Sequence, residues 1–284
     1  MNESVITPAC ELLGQWLGAR LSPAPLSWLE EKVARLSGEA SDRDLFIAVG
    51  MAPRKLGKAD LSLSEEELHQ AGAIRSGWDP SDWSVDQAAR IYLLLRSWRE
   101  PSAFFERFEK LFDTAEVGEL VAYYRGLALY PEPERFVARA MEGLRSNMKP
   151  VFEAVAHGNP FAPEQLDERA WNHMVLKALF IGSKLYPIQR LDERSNPALT
   201  RTLCQYAHER WSAGRSISVE LWRCVGPYAD DSALADLERV LSEGTEPERL
   251  AAVLALQSAS QDRATQLLKA VPDLEATLER QGLV

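Results

Sequence analysis

The sequence predicts an all-α protein, and three observations carry that expectation. Leu (39) and Ala (36) far outnumber the β-branched Val (16), Ile (7) and Thr (7), so helix formers dominate strand formers. Apolar residues recur at helical spacing almost throughout the chain. The breaks between these stretches are short and hold Ser, Asp or Asn caps, proline in first turns and glycine at stops.

In chain order, residues 9–19 place Leu12, Leu13, Trp16 and Leu17 on one side of a helix. Pro25 precedes a second helix carrying Leu26, Leu29, Val33 and Leu36, with a stop near Gly38. Residues 42–51 (Leu45, Phe46, Val49) predict a third, and Ser64 before Glu65, Glu66 and Glu67 marks an N-cap with an acidic first turn. Residues 77–82 predict a turn. Ser84 caps a helix through Trp98, and Pro101 opens one whose Phe104, Phe105, Phe108, Leu111 and Phe112 form a broad apolar face. After Pro133 a long helix is expected toward Met148, interrupted or kinked at Pro150 before 151–157 continue. Gly158-Asn159-Pro160 reads as a stop, 171–180 as a short apolar helix, and Asn196-Pro197 as a helix start that runs to Gly214. Short amphipathic helices over 231–242, 247–258, 263–270 and 273–280 close the chain.

Helices too narrow to bury both faces alone predict HEAT-like stacked pairs, an α-solenoid, with a compact helical bundle as the alternative. The expected organisation is one all-α domain over 1–284, a motif-dense centre over 118–228 and short HEAT-like helices over 230–284.

Hydrophobic residues at 46% and charged residues at 26% exclude disordered, collagen-like and membrane compositions. The first basic residue is Arg20 and no long apolar run lacks charge, so neither a signal peptide nor a transmembrane segment is expected and the location predicted is cytoplasmic. Three cysteines, Cys10, Cys204 and Cys224, lack CxxC spacing and offer no zinc framework. A net charge of −10 argues against nucleic acid as a partner. The charge is uneven: residues 135–223 carry 13 basic and 9 acidic side chains between two acidic flanks, which reads either as ordinary pairing with those flanks or as a surface for an anionic ligand or acidic partner.

Active-site signatures fail on inspection. No GxGxxG, Walker A or GxSxG is present. His208-Glu209 begins like a zincin helix, but Ser212 stands where the second ligand belongs. Glu66-x-x-His69 has no second copy for a di-iron site, and Asp230-Asp231 lacks the last aspartate of a DDxxD segment and reads as an N-cap. No metal site and no cofactor are therefore expected.

Three polar-rich helical segments supply ligand-binding candidates. In 139–148, Arg139, Glu142 and Arg145 share a face, with Asn147 beyond. In 171–177, Asn172 and Lys177 join His173 on an otherwise apolar helix. In 206–215 lie His208, Glu209, Arg210, Trp211 and Arg215; Arg210 falls on the stripe of Leu199, Leu203, Ala207 and Gly214, so burial is expected, with Glu142 or Glu153 as its partner. Each pattern also has a plain reading: an exposed ion-pair stripe, a snorkelling lysine, or an internal ion pair that sets helix register.

The run Glu142-Gly-Leu-Arg-Ser-Asn-Met148 followed by Val151-Phe-Glu-Ala, then Asn159-Pro-Phe, Ala170-Trp-Asn, Val175-Leu-Lys-Ala-Leu-Phe180, Leu191-Asp, Asn196-Pro, Tyr206-Ala-His-Glu-Arg-Trp211, Ala213-Gly-Arg215 and Leu221-Trp-Arg223 closely resembles the EboA family. The likeness is strongest over about residues 118–228. It implies a helical, cytoplasmic bacterial protein of a gene cluster that also encodes a UbiA-like prenyltransferase and a TatD-like hydrolase. That cluster is associated with moving a secondary-metabolite precursor, lipid-linked in this reading, toward the periplasm. The resemblance defines no activity and carries over no catalytic residue. The leading expectation is thus a non-catalytic helical adaptor or small-molecule-binding protein using a groove around 139–223, with the other cluster proteins and a metabolite as partners. The alternatives are a small all-α enzyme using Glu142, Arg145, His208 and Arg210 on an anionic or prenylated metabolite, and a purely structural protein–protein scaffold.

Overall fold

Local capping decides where several of the helices begin. The Ser41 and Ser64 hydroxyls each accept from a backbone N–H three residues on, at 3.3 Å, while Asp44 and Glu67 reach back to the cap. Gln87 accepts from the Ser84 N–H at 3.1 Å, Asn196 accepts from Leu199 N–H at 2.9 Å, and Asp230 accepts from Ala233 N–H at 3.0 Å. Asp230 is therefore the helix cap that its sequence context suggested.

The computed structural model describes residues 3–36 and 41–271. Its helices are α1 (Glu3–Arg20), α2 (Pro23–Leu36), α3 (Asp42–Leu56), α4 (Glu65–Ile74), α5 (Val85–Arg96), α6 (Pro101–Asp113), α7 (Val117–Arg125), α8 (Val137–Arg145), α9 (Lys149–Ala156), α10 (Phe161–Gln165), α11 (Glu168–Phe180), α12 (Pro197–Ser212), α13 (Asp231–Glu243), α14 (Glu246–Ser258) and α15 (Asp262–Lys269). Four 3₁₀ segments, Gly126–Leu129, Pro133–Phe136, Val219–Cys224 and Gly226–Tyr228, fill breaks between them. Among the described residues there is no strand; Asp60 and Ser84 form an isolated bridge. The all-α expectation holds. The expected stop near Gly38 and the helix over 273–280 lie outside the described residues.

Two corrections follow from proline. The long helix expected toward Met148 ends at Arg145, and α9 starts anew with Pro150 in its first turn, where the missing N–H costs no hydrogen bond. Conversely, α3 runs past Met51 through Pro53 to Leu56. Helix α7 had no Ser, Asp or Asn to announce it: Glu116 occupies the cap position and Glu119 accepts from its N–H at 3.0 Å.

The chain divides into two compact units, Met1–Asp167 and Glu168–Val284. In the first, α5 is the central rod, packed by α1, α2, α3 and α7. Nine of its twelve residues are buried, including the ion pair Asp86–Arg90 one turn apart. Beside it, Phe104, Phe108 and Phe112 of α6 interlock with Tyr123, Tyr124, Tyr130 and Phe136 at centroid distances down to 4.7 Å, in tilted and edge-on geometries.

In the second unit α11 packs on α12, α12 on α13, α13 on α14 and α14 on α15, and both 3₁₀ segments of this unit lie against α14. That last contact depends on a missing side chain. A Cβ at Gly226 would stand 2.3 Å from the Ala255 carbonyl oxygen and 2.2 Å from Ser258 Oγ, so only glycine lets the two backbones approach this closely.

Candidate functional site

The second unit carries an open pocket of about 490 Å³ beside that close approach, lined by Pro227, Ala255 and Ser258 among others. Val219 and Pro227 from the 3₁₀ segments and Ala251, Leu254 and Ala255 from α14 make its apolar wall. Val219 and Leu254 are 37% and 41% exposed, so part of this wall faces the open pocket. Its polar groups, Asp192, Glu220, Arg223 and Ser258, sit around this wall.

Each polar group is positioned by an identifiable contact. Arg223 forks onto Asp192, with Nε donating to Oδ1 and Nη2 to Oδ2, both at 2.6 Å. Asp192 thereby pushes the guanidinium pKa up. The Glu220 carboxylate accepts from the Leu185 and Tyr186 N–H groups, both at 3.0 Å, and pins the loop that leaves α11 through Gly182 at φ +67°. Thr200 of α12 donates to the Cys224 carbonyl at 3.1 Å, which ties the 3₁₀ turn to the helix behind it. Ser258 turns its hydroxyl back to the Ala255 carbonyl at 2.7 Å. A second, smaller hollow of about 320 Å³, lined by Tyr186 and residues 188–193, shares Asp192 and Arg223 with the first, so the fork is a partition between two concavities.

This arrangement desolvates an apolar body and offers a paired cation and anion to its polar end. It is not poised for thiol chemistry: burial pushes Cys224 up to about 11 and Cys204 up to about 12, which keeps both protonated near neutrality. Among the described residues no group of three His, Cys, Asp or Glu side chains could hold a metal ion, and no helix is long and apolar enough to cross a membrane.

None of the sequence candidates lines this pocket. In the first unit, Arg139 is the hub of a surface ion-pair cluster with Glu109 at 2.8 Å and Asp113 and Glu142 at 3.0 Å, its guanidinium also 5.3 Å from the Phe112 ring centroid. Arg145 and Asn147 are exposed. In the second unit, Asn172 and Asn196 exchange amide hydrogen bonds at 3.1 and 2.8 Å, so Asn172 braces the cap of α12. Lys177 is half-buried, and Glu209 and Arg215 are exposed. His208 Nε2 is 2.7 Å from Asp236 Oδ1, linking α12 to α13. Trp211 stacks on Trp222 at 6.0 Å under the Arg239 guanidinium.

The burial expected of Arg210 is corrected. It is half-exposed and donates from Nε and Nη2 to the Ser216 carbonyl at 3.0 and 2.9 Å, closing the C-terminal end of α12. Glu142 pairs with Arg139 and Glu153 with Lys149. Arg210 sits in the last turn of α12, which ends at Ser212, and Gly214, the expected last member of its stripe, lies beyond the helix in a left-handed turn at φ +64°, so the stripe has no further turn to bury it. Among the described residues the buried arginine is Arg90, 5% exposed, which donates to Asp86 and to the Val49 and Gly118 carbonyls.

Sequence reasoning did not select Asp192, Val219, Glu220, Arg223 or Leu254. The Leu191-Asp and Leu221-Trp-Arg223 words did flag two of them, but no local spacing relates residues 31 positions apart.

In comparison with known proteins, the family model described as "Metabolite traffic protein EboA" matches residues 9–226, well over half of the chain. The match takes in Asp192, Val219, Glu220 and Arg223 and ends before the α14 wall. No curated protein and no solved structure matches the chain.

Proposed function

The chain belongs to the EboA family of metabolite traffic proteins, and from that premise we propose that it is a non-catalytic binder that holds a small, largely apolar metabolite in the Val219–Leu254 pocket during its transfer. The supporting observation is the pocket's composition: an exposed apolar wall on α14 opposite one bidentate ion pair. Such a wall is favourable only when something covers it, and burying a Leu or Val side chain contributes about 1.5–3 kcal/mol. The Asp192–Arg223 pair supplies orientation to the ligand's polar end.

The cargo in this proposal is a secondary-metabolite precursor, prenylated or otherwise apolar, moved from the cytoplasm toward the periplasm together with the UbiA-like prenyltransferase and TatD-like hydrolase of the same gene cluster. Native mass spectrometry of protein purified from its own cells tests the binding. A retained small molecule that is lost on Leu254→Trp, with an unchanged melting temperature, supports the reading. An empty protein, or an adduct that survives Leu254→Trp, overturns it. Turnover of the retained molecule by the purified protein replaces the carrier with the enzyme.

A further inference from the structure

Residues 169–191 contain Arg169, Lys177, Lys184 and Arg190 and no acidic residue, within a chain that has 42 Asp and Glu. This stretch is α11 and the loop after it. One face of α11 is core: Trp171, Met174, Val175, Ala178 and Leu179 are buried. The opposite face carries Arg169, His173, Lys177 and Phe180 at steps of three and four residues, a line about 16 Å long. Among the described residues no carboxylate pairs with Arg169 or Lys177. Burial of its stem lowers the Lys177 amine pKa, as for a lysine lying along the protein with its head at the edge.

The line ends at Phe180, and a second exposed aromatic, Tyr186, follows in the loop at the rim of the smaller hollow. Phe180 is 75% exposed and Tyr186, six residues on, 71%; these are the two most exposed large apolar side chains described. Lys184 lies between them in sequence. Exposed rings beside like-signed cations are a poor water-facing surface but suit the zone between lipid headgroups and acyl chains, where the ring is half-dehydrated and the ammonium groups meet anionic phosphates.

We propose that the outer face of α11 and the Phe180–Tyr186 loop dock this protein on an anionic bilayer surface. The occupant is a lipid surface and not a folded partner because Arg169 and Lys177 on this face of α11 have no carboxylate partner and stand in line with an exposed ring, which matches a smeared negative potential; Arg190, by contrast, is paired with Glu193. The inference stands on α11 and does not depend on what fills the pocket.

Full-length protein is sedimented with vesicles of phosphatidylcholine alone and of phosphatidylcholine mixed with phosphatidylserine. Binding is expected to the anionic vesicles only, and to be released as ionic strength rises from about 0.01 M to about 1 M. Arg169→Gln and Lys177→Gln each weaken it about fivefold. Phe180→Ser weakens it at every ionic strength, and Tyr186→Ser does the same if Phe180→Ser proves unstable by circular dichroism. Equal binding to neutral vesicles, no vesicle binding, or affinity unchanged in both glutamine variants overturns the proposal. Binding to polyglutamate but not to vesicles overturns it in favour of an acidic protein partner.

Discussion

Arg223 and Asp192, 31 residues apart in the chain, meet as a planar fork with both donor–acceptor distances at 2.6 Å. Both side chains remain substantially exposed, 43% and 60%, so water screens the pair. Arg223→Ala is therefore expected to change unfolding free energy by less than about 1 kcal/mol while, on the proposed function, reducing retention of a small molecule. Thermal melts and native mass spectrometry on the same sample separate the two effects. A large loss of stability would make the fork a structural device instead of a ligand contact.

Gly226 sets how closely the 3₁₀ segment beside the pocket approaches α14. Gly226→Ala must push the 3₁₀ segment and α14 apart: Ser258 Oγ, 2.2 Å from the new Cβ, can turn away, but the Ala255 backbone oxygen at 2.3 Å is one that no rotamer change can move. The expected destabilisation is about 1–3 kcal/mol in urea unfolding, with impaired metabolite retention. An alanine variant as stable as the parent would mean that the two backbones lie further apart than described.

Within α5, Asp86→Ala leaves the Arg90 guanidinium buried with only the Val49 and Gly118 carbonyls for company. Loss of the carboxylate is expected to cost about 3–5 kcal/mol, more than any single exposed ion pair here. Replacing Arg139, the hub of the surface cluster, is expected to cost about 1 kcal/mol, and denaturant titration of the two variants ranks them.

The Arg20 guanidinium, bonded to both Glu67 oxygens at 2.9 and 2.7 Å, holds the Glu67 carboxyl at about 2, down from 4.5. The folded state thus favours the ionised form. This stabilisation is complete above about pH 4.5 and drains away as pH falls through about 2. Partial exposure limits it to roughly 1 kcal/mol. Glu67→Gln is expected to lower stability at pH 7 and to flatten its dependence on pH between those values, as followed by acid titration of helical circular dichroism.

Most helices could be read from the chain because their causes are local. Ser41, Ser64, Asn196 and Asp230 cap the helices they precede, and the apolar stripes of α5, α6 and α13 recur at helical spacing. The site was less legible. Asn172, His208 and Arg210 stood out as polar residues on apolar helices, yet each is engaged in joining or ending α12, a task that leaves the same imprint on sequence as ligand binding. The pocket's polar residues Asp192, Glu220 and Arg223, in contrast, sit in 3₁₀ turns and a loop, where no periodicity applies, and only the apolar wall on α14 follows helical spacing.

Composition, capping and apolar spacing by themselves determined that this chain is helical, and its central words carried the family likeness. Those properties depend on interactions within a few residues, which any stretch of sequence displays. Tertiary structure alone decided that Asp192 faces Arg223, that Glu220 pins Leu185 and Tyr186, and that Gly226 lies against Ala255, because these contacts join segments about 30 residues apart through backbone approach and burial. Such distances are set by how helices pack, and packing has no period along the chain.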